Sequence, residues 1–292
     1  MNRRSKRVSR RSRAPIRERQ ARAPRKRRWR LRALWPSARL RRRGWRAFRR
    51  APRLAQVCLG LAALAAAGLA VNGIYQVVRK PSELFFPVSG TLNKMPLVTW
   101  RGYAPLFRRY ATPLIRPELL AALAQVEGSG NPVARTYWRW SWVARPFEMY
   151  RPASSAVGMY QITDSTFAEA QRYCIRDHAV IAAGPWKDWR SCWFNSLYFR
   201  VIPSHAVELT SGYLDRHVTV ALGRAGVSSA TPREVQQLAA VIHLCGAGAG
   251  DAFARRGFRF VAAQRCGDQD ARAYVARVEA MTRVFARLSA QG

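Results

Sequence analysis

Residues 116–132 read RPELLAALAQVEGSGNP, and this stretch indicates both a helix and the point at which the helix ends. Proline is favoured in the first turn of a helix, so Pro117 marks a helix start. An apolar face with three- and four-residue spacing follows, formed by Leu119, Leu120, Leu123 and Val126. The glycines and proline of GSGNP then end the helix. The sequence therefore predicts a short helix that packs into a core.

Glu127 closes this helix on its apolar face, because it follows Leu120 by seven positions and Leu123 by four. An ionised carboxylate buried without partners costs several kcal/mol. Two interpretations are open from the helix alone. Glu127 is either a structural acid paired with one of the many arginines, or a general acid whose surroundings favour its protonated form.

Three further stretches repeat apolar residues at helical spacing. Their faces comprise Val207, Leu214 and Val218, then Val235, Leu238, Ala239 and Ile242, and finally Tyr274, Val278, Met281 and Phe285. Alternating strand patterns are scarce, which predicts a mainly α domain with one small hairpin. Residues 79–112 contain four prolines and are predicted to be a linker or lead-in rather than a core element.

The N-terminal arm, residues 1–53, holds 24 of the 51 Lys and Arg residues and a single acid, Glu18. Such a segment buries too little apolar surface to offset the entropy of ordering, so it is predicted to be disordered. Three tryptophans among the arginines leave nucleic-acid binding as an alternative. Attraction to anionic lipid, combined with control of membrane topology, is the favoured interpretation, and nucleic acid is not an expected partner.

Residues 54–78, LAQVCLGLAALAAAGLAVNGIYQVV, carry no charge and are long enough to span a membrane. The basic arm before this segment far outweighs Arg79 and Lys80 after it, which predicts a cytoplasmic arm and an exported C-terminal domain. A cleaved signal peptide is the alternative, with small residues at 67–70 as a cleavage site. Because 53 residues is too long for an ordinary leader, a retained single-pass anchor is predicted.

Five cysteines divide between the two regions. Cys58 lies in the apolar segment, whereas Cys174, Cys192, Cys245 and Cys266 follow it. Four cysteines in an exported domain predict two disulfides with three possible connectivities. Pairing of sequence neighbours, Cys174 with Cys192 and Cys245 with Cys266, is preferred, and four reduced thiols are the alternative. No pair has C-x-x-C spacing, so no metal site is predicted.

Four short motifs occur in a recognisable order. They are EGSGNP (127–132), SAVGMYQIT (155–163), CGAGAG (245–250) and DARAYVARV (270–278). This series resembles the soluble lytic transglycosylase domain of the lysozyme-like superfamily over residues 113–285. The resemblance implies a mainly α, lysozyme-like catalytic domain at residues 113–289, preceded by one transmembrane helix and the disordered basic arm.

The same resemblance assigns roles to individual residues. Glu127 takes the place of the catalytic acid, and Tyr274 that of a tyrosine beside the catalytic carboxylate. Gln161 is expected to position the sugar, with Met159 and Tyr160 lining the cleft. Ser129 is a further substrate-binding candidate, since the serine that usually follows the glutamate is replaced by Gly128. Cys245 and Gly246 replace the Tyr-Asn of the third motif, and these departures remove polar contacts to the sugar.

The resemblance implies cleavage of peptidoglycan strands between N-acetylmuramic acid and N-acetylglucosamine, with a single carboxylate and neither a metal nor a cofactor. Alternatives are a lysozyme-type muramidase with Glu148 or Asp164 as second acid, and a non-catalytic peptidoglycan-binding scaffold. An aromatic-rich insertion at residues 134–153 either contacts sugar, packs as a sub-core or touches the membrane. The combination of arm, span and domain suggests wall opening from the bacterial inner membrane for a secretion or conjugation apparatus.

Overall fold

The computed structural model describes residues 38–85, 89–141, 148, 150–185, 188 and 191–291. The disorder expected for residues 1–37 lies outside the described residues, as do Trp142 and Phe147 of the aromatic insertion. The chain divides into two units, residues 1–63 and residues 64–292.

In the first unit, helix α1 spans Ala38–Arg50. Helix α2, Arg53–Arg79, begins in this unit and ends in the second. The prediction of disorder for the whole arm is wrong for α1. Arginine is a good helix former, and a stacked contact between Trp45 and Phe48, with ring centroids 5.8 Å apart, supports one face of this helix.

Helix α2 is long and apolar enough to cross a membrane, with a mean hydropathy of 2.1 over its most apolar 18 residues, none of them buried against protein. Its bounds match the predicted span of residues 54–78. The polar residues near its end are buried, and Asn72 donates a hydrogen bond to the carbonyl oxygen of Tyr150 at 2.7 Å. One face of the last two turns of α2 is therefore polar and covered by protein, while Ile74 and Val78 on the same turns are exposed.

The second unit is mainly α, as predicted. After α2 its α-helices are α3 (Pro96–Arg109), α4 (Pro117–Gly128), α5 (Asp164–Ala170), α6 (Pro203–Arg224), α7 (Pro232–Cys245), α8 (Ala247–Arg255) and α9 (Ala271–Ala290). Short 3₁₀ turns occupy Pro81–Phe85, Gly90–Leu92 and Trp193–Leu197. Proline stands in the first turn of α3, α4, α6 and α7, where its missing N–H group is not needed.

Within the described residues three antiparallel hairpins interrupt the helices, where the sequence predicted one. They pair β1 (Trp138–Trp140) with β2 (Tyr150–Pro152), β3 (Tyr173–Arg176) with β4 (Ala179–Ala182), and β5 (Arg265–Cys266) with β6 (Gln269–Asp270). Their strands have two to four residues, too few for an alternating pattern to be recognised in the sequence.

The core surrounds α4, whose residues from Leu119 to Ala124 are fully buried. Helices α3 and α9 pack directly on it. The prediction that residues 79–112 form a lead-in is wrong for α3, since Trp100 and Phe107 belong to the core. Pro96 starts this helix instead of breaking it, and Pro105 is accommodated within it.

Both predicted disulfides are present, joining Cys174 to Cys192 and Cys245 to Cys266 with Cα separations of 5.5 and 5.3 Å. The first links β3 to the turn after β4, and the second links the end of α7 to β5. Cys58 is free. Two disulfides together with a candidate membrane helix suggest an extracytoplasmic domain.

Candidate active site

Glu127 occupies the last turn of α4, and its side chain is 13% exposed. The helix ends one residue later, at Gly128, because Ser129 adopts a left-handed conformation with φ of 50°. The N–H groups of Ser129 and Gly130 then bond to the carbonyl oxygens of Gln125 and Ala124, which closes the helix end. Helix α4 therefore places the carboxyl group of Glu127 at the edge of the core.

Tyr274, in the first turns of α9, donates a hydrogen bond from its hydroxyl to Oε1 of Glu127 at 2.5 Å. Burial, reinforced by the nearby negative charge of Glu127, raises the pKa of Tyr274 well above its usual value. The phenol is therefore a neutral donor. The predicted proximity of these two residues is present in the structure.

His243, in the last turn of α7, is a site residue that the sequence analysis missed. Its Nε2 atom lies 3.7 Å from Oε1 of Glu127, and its side chain is 11% exposed. Burial lowers the pKa of His243, and this outweighs the opposing effects of Glu127 and of a hydrogen bond with the Tyr160 backbone. The imidazole is therefore neutral at pH 7. His243 follows Val235 by eight positions and Ala239 by four, a spacing that places it on the buried face of α7.

The two oxygens of Glu127 have different environments. Tyr274 and His243 both approach Oε1. Within the part of the chain that the structure describes, Oε2 has no hydrogen-bond partner and is not among the buried unpaired atoms. One oxygen is thus held by the protein, while the other is available to an incoming hydroxyl or ether oxygen.

The loop at residues 158–161 packs against this cluster through its backbone. A Cβ atom on Gly128 would lie 2.8 Å from Cα of Met159. The structure therefore requires a glycine here, at the position where the motif that the sequence resembles has serine. Gln161 adopts φ of 47°, and its amide nitrogen donates to the carbonyl oxygens of Gly158 at 2.8 Å and Ala134 at 3.2 Å. These bonds fix the side chain of Gln161 within its own loop.

Met159 and Tyr160 are fully buried, so their side chains do not line an open cleft as predicted. Burial raises the pKa of Tyr160 well above its usual value. Its hydroxyl has no hydrogen-bond partner among the described residues. These two residues meet the site through their backbone. The backbone of Met159 lies beside Gly128, and the backbone of Tyr160 forms a hydrogen bond with His243.

The GSGNP loop is held by residues that precede α3. The buried Asn131 donates from Nδ2 to the carbonyl oxygen of Ser89 and to Oδ1 of Asn93, and it accepts from the N–H group of Val133 at 3.0 Å. The N–H group of Lys94 donates to the carbonyl oxygen of Ser129 at 2.8 Å. Ser129 therefore contributes backbone contacts to this loop.

The two departures in the third motif also have structural reasons. Cys245 forms the disulfide with Cys266. Gly246 ends α7 and precedes α8 with φ of 83°, a left-handed value that glycine adopts without strain. The residues that replace Tyr-Asn therefore support the turn that positions the end of α7.

The two carboxylates considered as a second acid are engaged with arginines. Glu148 forms ion pairs of 3.2 Å with Arg79 and Arg151, and Asp164 forms one of 2.8 Å with Arg200. Neither hydrogen-bonds to Glu127 within the described ranges. Among the same residues, no group of three or more His, Cys, Asp and Glu side chains could hold a metal ion.

The described aromatic residues of the insertion fall into two groups. Trp138 donates from its indole nitrogen to Glu83 at 2.8 Å and lies against Tyr150, so it is part of a packed hairpin. Tyr137 and Trp140 are largely exposed, although one side of the Trp140 ring also contacts Tyr150.

No protein-family model matches this chain, and no curated protein matches it. A function must therefore be inferred from the arrangement of Glu127, Tyr274 and His243 and from the order of the four motifs.

Proposed function

We propose that this protein is a membrane-anchored lytic transglycosylase with a lysozyme-like domain that cleaves peptidoglycan strands at the bond between N-acetylmuramic acid and N-acetylglucosamine. The observation that carries the proposal is the partly buried carboxyl group of Glu127, with Oε1 held by a neutral tyrosine and Oε2 available. A general acid needs a proton source in a fixed position with access to the substrate, and this arrangement provides both.

In the first step, protonated Glu127 donates its proton to the glycosidic oxygen, and the bond from that oxygen to C1 of the muramic residue breaks. The carbonyl oxygen of the substrate's own N-acetyl group stabilises the positive charge at C1. In the second step, Glu127 accepts the proton of the muramic C6 hydroxyl, whose oxygen bonds to C1 and closes a 1,6-anhydro ring. Protons balance, and water is not consumed.

Within this mechanism Tyr274 is a positioning residue. Its hydroxyl donates to Oε1 in both steps, so that Oε2 exchanges the proton with the substrate. His243, whose pKa is lowered by burial, adds a neutral polar group beside the carboxyl. The side chain of Gln161 donates hydrogen bonds to the carbonyl oxygens of Ala134 and Gly158, and these bonds fix the loop that borders the site.

A muramidase of the same fold would need a second carboxylate to activate water. The ion pairs of Glu148 and Asp164 with arginines favour the single-carboxylate reaction over hydrolysis. The topology that fits the proposal has the basic arm in the cytoplasm, α2 across the inner membrane and the domain in the periplasm. Local wall opening for an envelope-spanning secretion or conjugation apparatus is the role that this architecture suits.

The test is digestion of purified peptidoglycan by the full-length protein in detergent, followed by mass analysis of the released muropeptides. The wild type should release products with 1,6-anhydromuramic ends. Glu127→Gln, which keeps the hydrogen bond from Tyr274 but cannot deliver a proton, should lower the rate by about 10²- to 10⁴-fold.

The matched control is Glu118→Gln, a change of the same chemistry at the other end of α4, and it should leave the rate unaltered. Reducing ends in place of anhydro ends would reassign the protein as a muramidase. Products of equal yield from the wild type and Glu127→Gln would remove Glu127 from the mechanism, and binding without cleavage by a folded wild type would identify a scaffold.

A further inference from the structure

A separate cavity of about 700 Å³ lies where α2 ends. Its walls come from the last turn of α2, the turn at Pro81–Phe85, strand β2 with the residues after it, α5, and the segment at residues 198–201. None of the residues of the candidate active site lines it. The cavity therefore needs an explanation of its own.

The position of this cavity along α2 is informative. Residues 54–71 form 18 residues of helix, which at 1.5 Å per residue span about 27 Å, close to the hydrocarbon thickness of about 30 Å. Gln76, Arg79 and Lys80, which line the cavity, follow within the next nine residues. If α2 crosses a membrane, the cavity lies at the level of the headgroups of the outer leaflet.

Basic side chains outnumber acidic ones in the cavity wall, and two of the four are neutralised by ion pairs, Lys80 with Glu83 and Arg200 with Asp164. Arg79, Lys80, Arg151 and Arg200 line it, with Asp164 as the acid among its lining residues. Lys80 and Arg200 are engaged by the protein: Lys80 donates to the carbonyl oxygens of residues 154 and 156, and Arg200 to those of residues 155 and 162. These two side chains hold the wall in place.

Arg79 and Arg151 are the more exposed pair, with 59% and 34% of their side chains accessible. Each places Nη1 3.2 Å from a different oxygen of Glu148. The carboxylate of Glu148 thus keeps the two guanidinium groups close to each other. A guanidinium carries five N–H donors, so one contact leaves further donors to bind a phosphate oxygen. The pair is suited to an anion that carries a phosphate group.

Part of the remaining wall is apolar. Leu84 and Phe199 line the cavity and are 66% and 61% exposed, and the neighbouring Leu197 is exposed as well. Large exposed apolar side chains beside a charged pocket are typical of a surface that meets another molecule. Basic groups next to apolar ones match a phospholipid, whose phosphate and acyl chains adjoin in the same way.

We propose that this cavity binds the headgroup phosphate of an anionic phospholipid from the outer leaflet of the membrane crossed by α2. Arg79 and Arg151 bind the phosphate, and Leu84 and Phe199 contact the glycerol and the first part of an acyl chain. The lipid fixes the domain against the membrane surface. This site is independent of glycan cleavage and depends only on α2 lying in a membrane.

The experiment uses the full-length protein in phosphatidylcholine vesicles that contain a small fraction of phosphatidylglycerol with a photoactivatable acyl chain. After illumination, labelled peptides are mapped by mass spectrometry, which separates labels on the cavity from labels on the basic arm. We expect labels at residues 79–85 and 196–202. Arg79→Gln with Arg151→Gln should lower this labelling at least about tenfold and leave labelling of the arm unchanged.

The control pair, Arg255→Gln with Arg287→Gln, removes the same charge from exposed positions of α8 and α9 and should label like the wild type. Phe199→Ser is a second variant that leaves the charges intact and should lower labelling at residues 79–85. Glu127→Gln should keep full labelling. Labelling that survives the Arg79 and Arg151 changes, or that millimolar inorganic phosphate displaces as well as unlabelled phosphatidylglycerol does, would overturn the proposal.

Discussion

Glu127 and Glu208 are both glutamates on core helices, yet their carboxyl groups differ in burial and in hydrogen bonding. Glu208, on α6, is 3% exposed and uses both oxygens: Oε1 accepts from the N–H group of Ile175 at 3.0 Å, and Oε2 from the hydroxyl of Tyr198 at 2.7 Å. Glu127 is 13% exposed, with contacts from Tyr274 and His243 on Oε1 alone.

This difference separates a structural carboxylate from a candidate for chemistry. Burial is tolerated when each oxygen accepts a hydrogen bond, and Glu208 meets that condition completely. Glu127 meets it on one side only. Burial alone would have selected Glu208, so the accessible oxygen is the more informative criterion.

Removal of the carboxyl group should therefore affect stability more at position 208. Glu208→Ala leaves two buried donors without acceptors at about 1–3 kcal/mol each, whereas Glu127→Ala leaves one. We expect Glu208→Ala to lower the free energy of unfolding by about 2 kcal/mol more than Glu127→Ala does. Urea unfolding of both variants, followed by tryptophan fluorescence, measures this. Equal losses would contradict the distinction between the two sites.

The tyrosines that donate to the two glutamates provide a matched pair. Tyr274→Phe removes the donor to Glu127 and should lower kcat about 10- to 150-fold without a change in KM, since a positioning hydrogen bond to a charged group contributes about 1.5–3 kcal/mol. Tyr198→Phe removes the corresponding donor to Glu208 and should lower the free energy of unfolding by about 1.5–3 kcal/mol, with kcat unaltered. The rate of anhydromuropeptide release and urea unfolding give the two readouts. A fall in kcat for both variants would mean that the tyrosines act through general destabilisation.

His243 should make the smallest contribution, visible in the dependence of stability on pH. Its pKa is lowered in the folded protein below the ordinary value of 6.5, so the unfolded chain binds more protons between these two pKa values. The neutral form of His243 therefore contributes to the free energy of unfolding above pH 6.5. This contribution is lost as the pH falls towards the folded pKa, by at most about 1.4 kcal/mol per pH unit.

The measurement is the free energy of unfolding from pH 7.5 to 5.5, compared between the wild type and His243→Gln. The other three histidines are present in both proteins, so their contributions cancel in the difference. The variant should lose less stability than the wild type on acidification. Parallel curves would mean that His243 is not held in its neutral form by burial.

The sequence predicts the helix of Glu127 well because one apolar face, a starting proline and a glycine-rich end coincide there. The same reasoning, extended four residues from Ala239, would have found His243 on the buried face of α7. It was missed because a histidine in a helix has an ordinary structural interpretation, and only the fold brings α7 beside the end of α4. Contacts between distant segments are not encoded in the periodicity of either one.

Prolines caused the largest error in the fold. Pro96 and Pro105 suggested an irregular lead-in, but Pro96 is a helix start, and Pro105 lies within a helix that tertiary packing of Trp100 and Phe107 stabilises. The burial of Tyr160 also could not be predicted from the sequence, because the conformation of the loop at residues 158–161 is set by its contacts with Gly128 and Arg200.

The disulfide between Cys245 and Cys266 shortens the covalent path between the two residues that flank Glu127. Along the backbone, His243 and Tyr274 are 31 residues apart, whereas through the bridge the path is ten residues and one disulfide. Loop-closure entropy grows with the logarithm of path length, so this shortcut lowers the cost of bringing them together by about 1 kcal/mol. After a local opening of α9, the imidazole and the phenol therefore remain near neighbours along the chain.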